Sequence, residues 1–326
     1  MDAIRDFLAI PFGWLLGLFY DLSGNYLLSL VVITLIVRLV LLAPSIKQQK
    51  NSAKQMRLQA KINKIRAKYP SGTREAQMKI SEETQELYRR EGFSASTAGC
   101  LPLLIQLPVM LGLYGAIYAP ISKVLNMSDA VMEALKTAYT SLENATADAY
   151  RIELNILNRF SEVLEVADKS VVTEDIVATL QGFIDRFQIF GVDLTEMPNE
   201  FRTIGASILL IPVFAFISSM LTSLFMMQKQ KKTNPEMAKN PTMGCMTFMS
   251  PVISGFFAYS LPAGVGFYWI ISNILSFIQT VALAIFIKPE NIIASQMIDE
   301  TVERRSREES IKKRVAIMKS QEEKTK

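Results

Sequence analysis

Five long apolar stretches constrain this chain more than any other feature of its sequence. Of its 35 Lys and Arg residues and its 31 Asp and Glu residues, only Arg38 lies inside them. A water-soluble core does not separate charge so completely, and about 20 apolar residues suffice for a helix to cross a bilayer. We therefore predict an all-α polytopic membrane protein. Its five predicted transmembrane helices cover 26–45, 98–121, 204–227, 243–261 and 262–287.

The charges of the connecting segments predict how these helices are oriented. Segment 46–97 holds 12 Lys and Arg against 5 Asp and Glu, whereas segment 122–203 holds 7 against 14. Segments 228–242 and 288–326 are also net positive, and segment 1–25 is net negative. Cytoplasmic loops carry the excess of Lys and Arg. An N-out, C-in topology satisfies this rule at every crossing.

One of the cytoplasmic segments is a candidate for docking. Residues 46–97 predict a basic helical hairpin that turns at YPSG, residues 69–72. The hairpin is either a solvated helix pair whose charge only sets topology, or a docking arm for an anionic partner such as lipid headgroups or ribosomal RNA. Residues 228–242 predict a cytoplasmic loop, and residues 288–326 a basic cytoplasmic tail.

The two predicted external segments differ in size. Residues 1–25 favour an interfacial amphipathic helix, because Pro11 interrupts their apolar part and no signal-peptide cleavage site follows. Residues 122–203 predict an acidic helical cap. Its apolar residues fall in two helical stripes, Ile152, Ile156, Leu157, Phe160 and Val163, and Ile176, Leu180, Phe183, Ile184 and Phe187.

The composition excludes several kinds of catalytic site. The sequence has no His, and Cys100 and Cys245 are its only thiols. Ser/His/Asp catalysis, Cys/His dyads and His-ligated zinc are therefore ruled out. No phosphate-binding G-x-x-x-x-G-K-[ST] loop occurs. We expect a protein that is not an enzyme, with no cofactor and no metal site.

Arg38 is the polar residue that most needs a partner. An Arg in the middle of a membrane helix costs about 2.5–3.5 kcal/mol on insertion scales. None of the other predicted spans contains an Asp or a Glu that could pair with it. We predict that Arg38 faces a water-filled groove entered from the cytoplasm. The alternative is an Arg that extends towards the interface and bonds to carbonyls of neighbouring helices.

Other polar residues of the spans are candidates to line the same groove. The last span carries a polar face at helical spacing, and Trp269 lies one turn before Asn273. Such residues more commonly form hydrogen bonds between helices. We favour a role in lining the groove, because Arg38 needs contact with water. The candidate groove residues are Arg38, Gln106, Trp269, Asn273, Ser276 and Gln279, and the polar face also includes Ser272 and Thr280.

Three motifs carry a resemblance to a known family. LPAGVGFYWIISNILSFIQT, residues 261–280, and GCLPLLIQLPVMLGLY, residues 99–114, resemble spans of the YidC/Oxa/Alb family of membrane-protein insertases. FGVDLT, residues 190–195, is similar to a short external motif of that family, and Arg38 falls where the family keeps a groove arginine. The resemblance is to a short bacterial form without the large external domain.

The resemblance implies an insertase and chaperone in the bacterial cell membrane that works without nucleotide hydrolysis. Arg38 would attract the acidic end of a nascent membrane protein into the groove. The apolar segment of that client would leave along the third and fifth spans, where Ser218, Met220 and Thr222 are candidate slide residues. The implied partners are nascent membrane proteins, the ribosome, the signal-recognition pathway, anionic lipids and, for some members, the Sec translocon. No DNA partner is expected.

Two other functions compete with this interpretation. A small-solute transporter or channel would also need an intramembrane cation site, but five unequal spans show no inverted repeat and no acidic residue for ion coupling. An intramembrane protease lacks both His and an intramembrane Asp.

Overall fold

Helices make up almost all of the structure, which is a computed structural model. It describes residues 2–70, 72–91, 95–146, 151–189, 191–233 and 241–324. Within these ranges, side chains are described except at 2–4, 52, 54–57, 60, 95–105, 230, 233, 241–246, 289–290, 296 and 319–324. The chain divides into two units, Met1–Leu42 with Leu101–Thr280, and Ala43–Cys100 with Val281–Lys326.

The elements follow one another in a simple order. The first half contains α1 (Asp2–Ser23), α2 (Tyr26–Val40), α3 (Leu42–Lys68), α4 (Arg74–Arg90), α5 (Ala95–Tyr118), α6 (Pro120–Lys123) and α7 (Asp129–Ser141). There follow α8 (Ile152–Asn158), α9 (Phe160–Val166), α10 (Glu174–Arg186), β1 (Gln188–Ile189), β2 (Val192–Asp193) and α11 (Phe201–Ile204). Short 3₁₀ turns at Pro198–Glu200 and Ala206–Leu209 flank α11. The last helices are α12 (Leu210–Thr233), α13 (Pro241–Ser260), α14 (Ala263–Phe286) and α15 (Pro289–Lys324).

Several helices suit a membrane by length and composition. Among the described residues, Ala206–Lys229 and Ala263–Phe286 qualify as spans, and Tyr26–Val40 with Leu42–Asn51 qualifies as one broken span. The prediction of an all-α membrane protein is confirmed at this level. The predicted spans 98–121 and 243–261 begin on residues whose side chains lie outside the described set. The count of five spans and the N-out orientation therefore stay predictions.

The first predicted span is broken rather than straight. α2 ends at Val40, and Leu41 donates its N–H to the carbonyl of Val37, 2.9 Å away, before α3 begins. Pro44 explains the break, because it has no N–H for the carbonyl of Val40 and its ring crowds that carbonyl. Asn25 begins α2 by accepting the N–H of Leu28.

α1 packs against α5 through glycines. A Cβ at Gly115 would lie 2.5 Å from the Cβ of Ala9, and one at Gly112 would lie 2.8 Å from the carbonyl oxygen of Leu8. Only glycine allows such a close approach of two helices. The opposite face of α1 exposes a row of large apolar residues, Phe7, Ile10, Trp14, Leu18 and Leu22. An exposed apolar stripe is the feature that an interfacial helix needs.

The described residues between 120 and 187 form a cluster of short helices around an acidic side chain. Glu153 on α8 is only 7% exposed. Its carboxylate accepts hydrogen bonds from the N–H groups of Ile121 and Ser122, at 2.8 and 3.0 Å, and from the Ser122 hydroxyl, at 2.6 Å. Burial raises the pKa of Glu153, while these hydrogen bonds oppose the rise. Glu153 thus supplies the acceptor that the first turn of α6 needs.

The two predicted apolar stripes both contribute to the core of this helical cluster. Ile156, Leu157, Phe160, Val163, Leu180, Phe183 and Phe187 are all buried. The first stripe is split at Arg159, where α8 ends and α9 begins. The second stripe reaches α2, because the ring of Tyr26 lies 5.5 Å from that of Phe183 and 4.7 Å from that of Phe187.

The FGVDLT motif forms a turn that supports the start of α14. β1 and β2 pair antiparallel on either side of Gly191, whose φ of 75° is favourable for glycine; Phe190 lies outside the described residues. The carbonyls of Leu194 and Glu196 accept the N–H groups of Gly264 and Ala263, at 2.9 and 2.8 Å. Two of the N–H groups that begin α14 are thereby satisfied.

The second unit contains the helical hairpin of α3 and α4 and the long helix α15. Leu58 and Ile62 on α3 and Ala76 on α4 are buried. At the turn end, Glu83 accepts the Lys68 ammonium at 2.9 Å and the Tyr69 hydroxyl at 2.7 Å. Lys61 and Glu91 form an ion pair nearer the other end.

The contacts of Glu83 predict that the hairpin responds to acid. Hydrogen bonds from Lys68 and Tyr69 hold the pKa of Glu83 below its ordinary value of 4.5. A carboxylate with a lowered pKa stabilises the fold at neutral pH, and that contribution is lost as the pH falls through the lowered pKa. We expect spin labels at the exposed positions 67 and 77, in a chain without its native cysteines, to give a narrow distance distribution at pH 7. The distribution should broaden below pH 4.5.

Removal of the charge of Glu83 by substitution should broaden the distance distribution in the same way at neutral pH. Glu83→Gln should broaden the distribution at pH 7, whereas Glu75→Gln should not, because Glu75 pairs with Lys79 inside α4. An unchanged distribution in Glu83→Gln would show that the turn holds the hairpin without this carboxylate.

Candidate functional site

Arg38 and Ser272 form the centre of the candidate site. Arg38 lies near the end of α2, and Ser272 is a buried residue of α14. One guanidinium nitrogen, Nη2, donates to the Ser272 carbonyl at 3.0 Å and to its hydroxyl oxygen at 2.6 Å. A single residue of α14 therefore holds the intramembrane cation through two neutral oxygens.

A tyrosine of α14 connects the site to α5. Tyr268 lies one turn before Ser272 on the same helix, and its hydroxyl accepts a hydrogen bond from the side chain of Gln106 at 3.4 Å. The proximity of Gln106 to Arg38 stays a prediction. The ring of Tyr114 on α5 meets those of Tyr268 and Trp269 edge-on, at 6.4 and 6.1 Å.

Within the part of the chain that the structure describes, no anion neutralises the positive charge of Arg38. Among the described residues its hydrogen bonds go to Ser272 alone, and no carboxylate pairs with it. The residue remains partly exposed. The contact with a carbonyl is the one that the alternative interpretation of Arg38 anticipated, and the partial exposure is what a wet groove requires.

Asn273 belongs to a second polar cluster, away from Arg38. Its amide nitrogen donates to the carbonyl of Ala215 and to the hydroxyls of Ser218 and Ser254, at 3.3, 3.2 and 3.1 Å. Ser254 also donates to the carbonyl of Ala215. This cluster joins α12, α13 and α14, so a predicted groove residue, Asn273, and a predicted slide residue, Ser218, are in direct contact.

The remaining candidates lie at several places along α12 and α14. The Thr222 hydroxyl and the Gln279 carbonyl oxygen are buried with no hydrogen-bond partner among the described residues. The carbonyl of Ser276 accepts the Thr280 hydroxyl at 2.7 Å. Trp269 also packs against Phe257 on α13, with ring centres 5.3 Å apart. Met220 is half-buried.

Sequence reasoning missed two residues of this site. Ser272 was placed on the polar face of the last span, but not as the partner of Arg38. Tyr268 was not considered. Its position four residues before Ser272 is the signal that could have found it, because residues i and i+4 lie on one face of a helix.

The arrangement suits recognition of an anion. Nε and Nη1 of Arg38 have no hydrogen-bond partner among the described residues, so they remain available to an acidic ligand. A guanidinium binds a carboxylate strongly, often through two parallel hydrogen bonds. In the described part of the chain, no group of Cys, Asp and Glu residues is suited to hold a metal ion.

Comparisons with known proteins identify relatives along most of the chain. It is 26% identical over 319 residues to "Membrane protein insertase YidC 2" of Listeria innocua, covering 96% of this chain and 82% of that protein. It is 25% identical over 284 residues to "Membrane protein insertase YidC" of Oceanobacillus iheyensis, covering 84% and 80%. It is 23% identical over 275 residues to "Membrane protein insertase MisCA" of Bacillus subtilis, covering 84% and 76%.

A protein-family model also matches most of the chain. The model described as "60Kd inner membrane protein" matches residues 18–290, which include every residue of the candidate site. The resemblance that the three motifs carry is confirmed by this match. The chain belongs to the 60Kd inner membrane protein family, which comprises the YidC/Oxa/Alb proteins.

Proposed function

We propose that this chain is a membrane-protein insertase and chaperone of the bacterial cell membrane. Relatives that cover most of its length are named membrane protein insertases, and its apolar helices are long enough to cross a bilayer. The client is a nascent membrane protein, which passes from the cytoplasm into the lipid. Five spans with the N terminus outside, as the loop charges predict, complete the proposal.

Arg38 is the observation that carries the mechanism. It is a partly exposed cation within an apolar helix, and in the described part of the chain it donates only to the neutral oxygens of Ser272. A client with an acidic end provides the missing counter-charge, and the attraction is strong because the surroundings have a low dielectric constant. Water in a groove beside Arg38 shortens the dry path for the polar end of the client, so no nucleotide energy is needed.

α12 and α14 supply a route for the apolar part of the client. α12 exposes large apolar side chains along its length, and Ile274 and Ile278 are exposed on α14. An apolar segment that leaves the groove along these helices exchanges one apolar contact for another and then enters lipid. The residues of this slide are Leu210, Val213, Phe214, Ile217, Leu221 and Leu224, with Ser218, Met220 and Thr222 beside them.

The hairpin of α3 and α4 is the candidate docking arm. A separate cleft of about 1000 Å³ lies between these two helices. It is lined mainly by basic residues and also by three glutamates. Its basic residues are Lys61, Lys64, Lys68, Arg89 and Arg90. Their charge suits the ribosome, the signal-recognition pathway or anionic lipids as partners. The Sec translocon is a further partner that the family resemblance implies.

Reconstitution of the full chain tests the proposal. We expect vesicles that contain it to insert a single-span client with an acidic translocated end, in the absence of nucleotide, so that this end becomes protected from added protease. Empty vesicles and vesicles with an unrelated membrane protein provide the background. Insertion no greater than this background would contradict the proposal.

The same vesicles distinguish the competing function. A small-solute transporter or channel with a cation site at Arg38 would release an entrapped anionic dye or take up labelled anions. We expect the vesicles to retain such solutes while insertion proceeds. Solute flux that depends on Arg38, without client insertion, would favour the transporter.

A further inference from the structure

The hydrogen bonds of Arg38 indicate a role for Ser272, which carries no charge. The Nη2 atom of Arg38 donates hydrogen bonds to both oxygens of Ser272. The guanidinium is therefore fixed at one end by two neutral groups of α14. Its Nε and Nη1 atoms have no partner in the described part of the protein.

We propose that Ser272 is the positioning residue of the Arg38 site, and this inference rests on the proposed insertase function. Through Nη2 it holds the guanidinium in one orientation and leaves Nε and Nη1 for the carboxylate of a client. The client is thereby selected for an acidic group that can accept from the remaining edge of the guanidinium.

A neutral partner suits this task better than a charged one. An Asp or Glu at position 272 would also hold Arg38, but it would cancel the charge that attracts the client. A serine hydroxyl and a backbone carbonyl orient the cation without neutralising it. An arginine side chain that is ordered in advance also loses less conformational entropy when the client binds.

Clients with and without acidic residues test this role of Ser272. We expect Ser272→Ala to lower the insertion rate of a client with an acidic translocated end about fivefold, which corresponds to about 1 kcal/mol. The same client with its acidic residues replaced by Asn and Gln should be inserted at the wild-type rate. Ser272→Thr, which keeps the hydroxyl, should restore the acidic client.

Ser29→Ala is the matched control. Ser29 is a fully buried serine of α2 whose hydroxyl donates to the carbonyl of Asn25, at 2.8 Å, and it does not contact Arg38. Its loss costs a comparable buried hydrogen bond, so it reports any general effect on stability. We expect it to leave the ratio of the two client rates unchanged.

A double variant separates positioning from folding. Adding Ser272→Ala to Arg38→Ala should cause no further loss, because residues that act through one another are not additive. Equal loss with both clients, a full additional loss in the double variant, or wild-type rates in Ser272→Ala would each overturn the inference. The proposed function itself fails only where the wild-type chain does not insert the client.

Discussion

Arg38→Ala will reduce insertion of clients with an acidic translocated end by at least about tenfold. A hydrogen bond to a charged group contributes about 1.5–3 kcal/mol, and about 1.4 kcal/mol corresponds to a factor of ten. The alanine variant loses both the charge and the donors that remain free of Ser272. Protease protection of the client in vesicles measures the effect.

Arg38→Lys provides the matched control for charge. An ammonium carries the same charge but lacks the planar edge that binds the client carboxylate, so we expect this variant to insert the acidic client faster than Arg38→Ala and more slowly than the wild type. Clients without acidic residues should be inserted at similar rates by all three proteins. Full activity of Arg38→Ala on the acidic client would show that the charge has no part in insertion.

Gly115→Ala will loosen α1 from the rest of its unit. The added Cβ would lie 2.5 Å from the Cβ of Ala9, and neither atom can rotate away without a movement of its helix. Overpacking of this kind costs about 1–3 kcal/mol. Thermal unfolding in detergent, followed by tryptophan fluorescence, measures the loss. Trp14 lies on α1, so its fluorescence also reports the release of that helix.

Gly182→Ala is the control for Gly115→Ala. Gly182 lies inside α10, and nothing lies within 4 Å of a Cβ built there. Alanine is the better helix former by about 1 kcal/mol, so this variant should be as stable as the wild type or slightly more stable. Equal unfolding temperatures for the two variants would mean that α1 does not pack on α5 as described.

Much of the helical architecture follows from the sequence, but its breaks depend on local chemistry. The apolar stretch 26–45 reads as one span, yet Pro44 deprives the carbonyl of Val40 of a partner and α2 ends there. The stripe from Ile152 to Val163 is likewise divided, at Arg159. Apolar spacing indicates which face of a helix is buried, and it is insensitive to a break of one residue.

The candidate site was less predictable than the helices. Arg38 stands out because a lone charge in an apolar stretch is costly. Ser272 and Asn273 are consecutive, and spacing alone assigned both to one polar face. In the structure Ser272 contacts α2, while Asn273 contacts α12 and α13. The rotation of α14 decides between these neighbours, and it depends on packing against several helices at once.

The contact between Arg38 and Ser272 also bears on how the protein is made. The two residues are separated by 234 positions, and a ribosome adds about 5–20 residues each second. Arg38 thus emerges roughly ten to fifty seconds before its partner exists. During that interval Arg38 of the nascent chain lies in α2 without its hydrogen-bond partner. Its own biogenesis therefore passes through a stage at which that helix must be sheltered by water, by headgroups or by an insertase already in place.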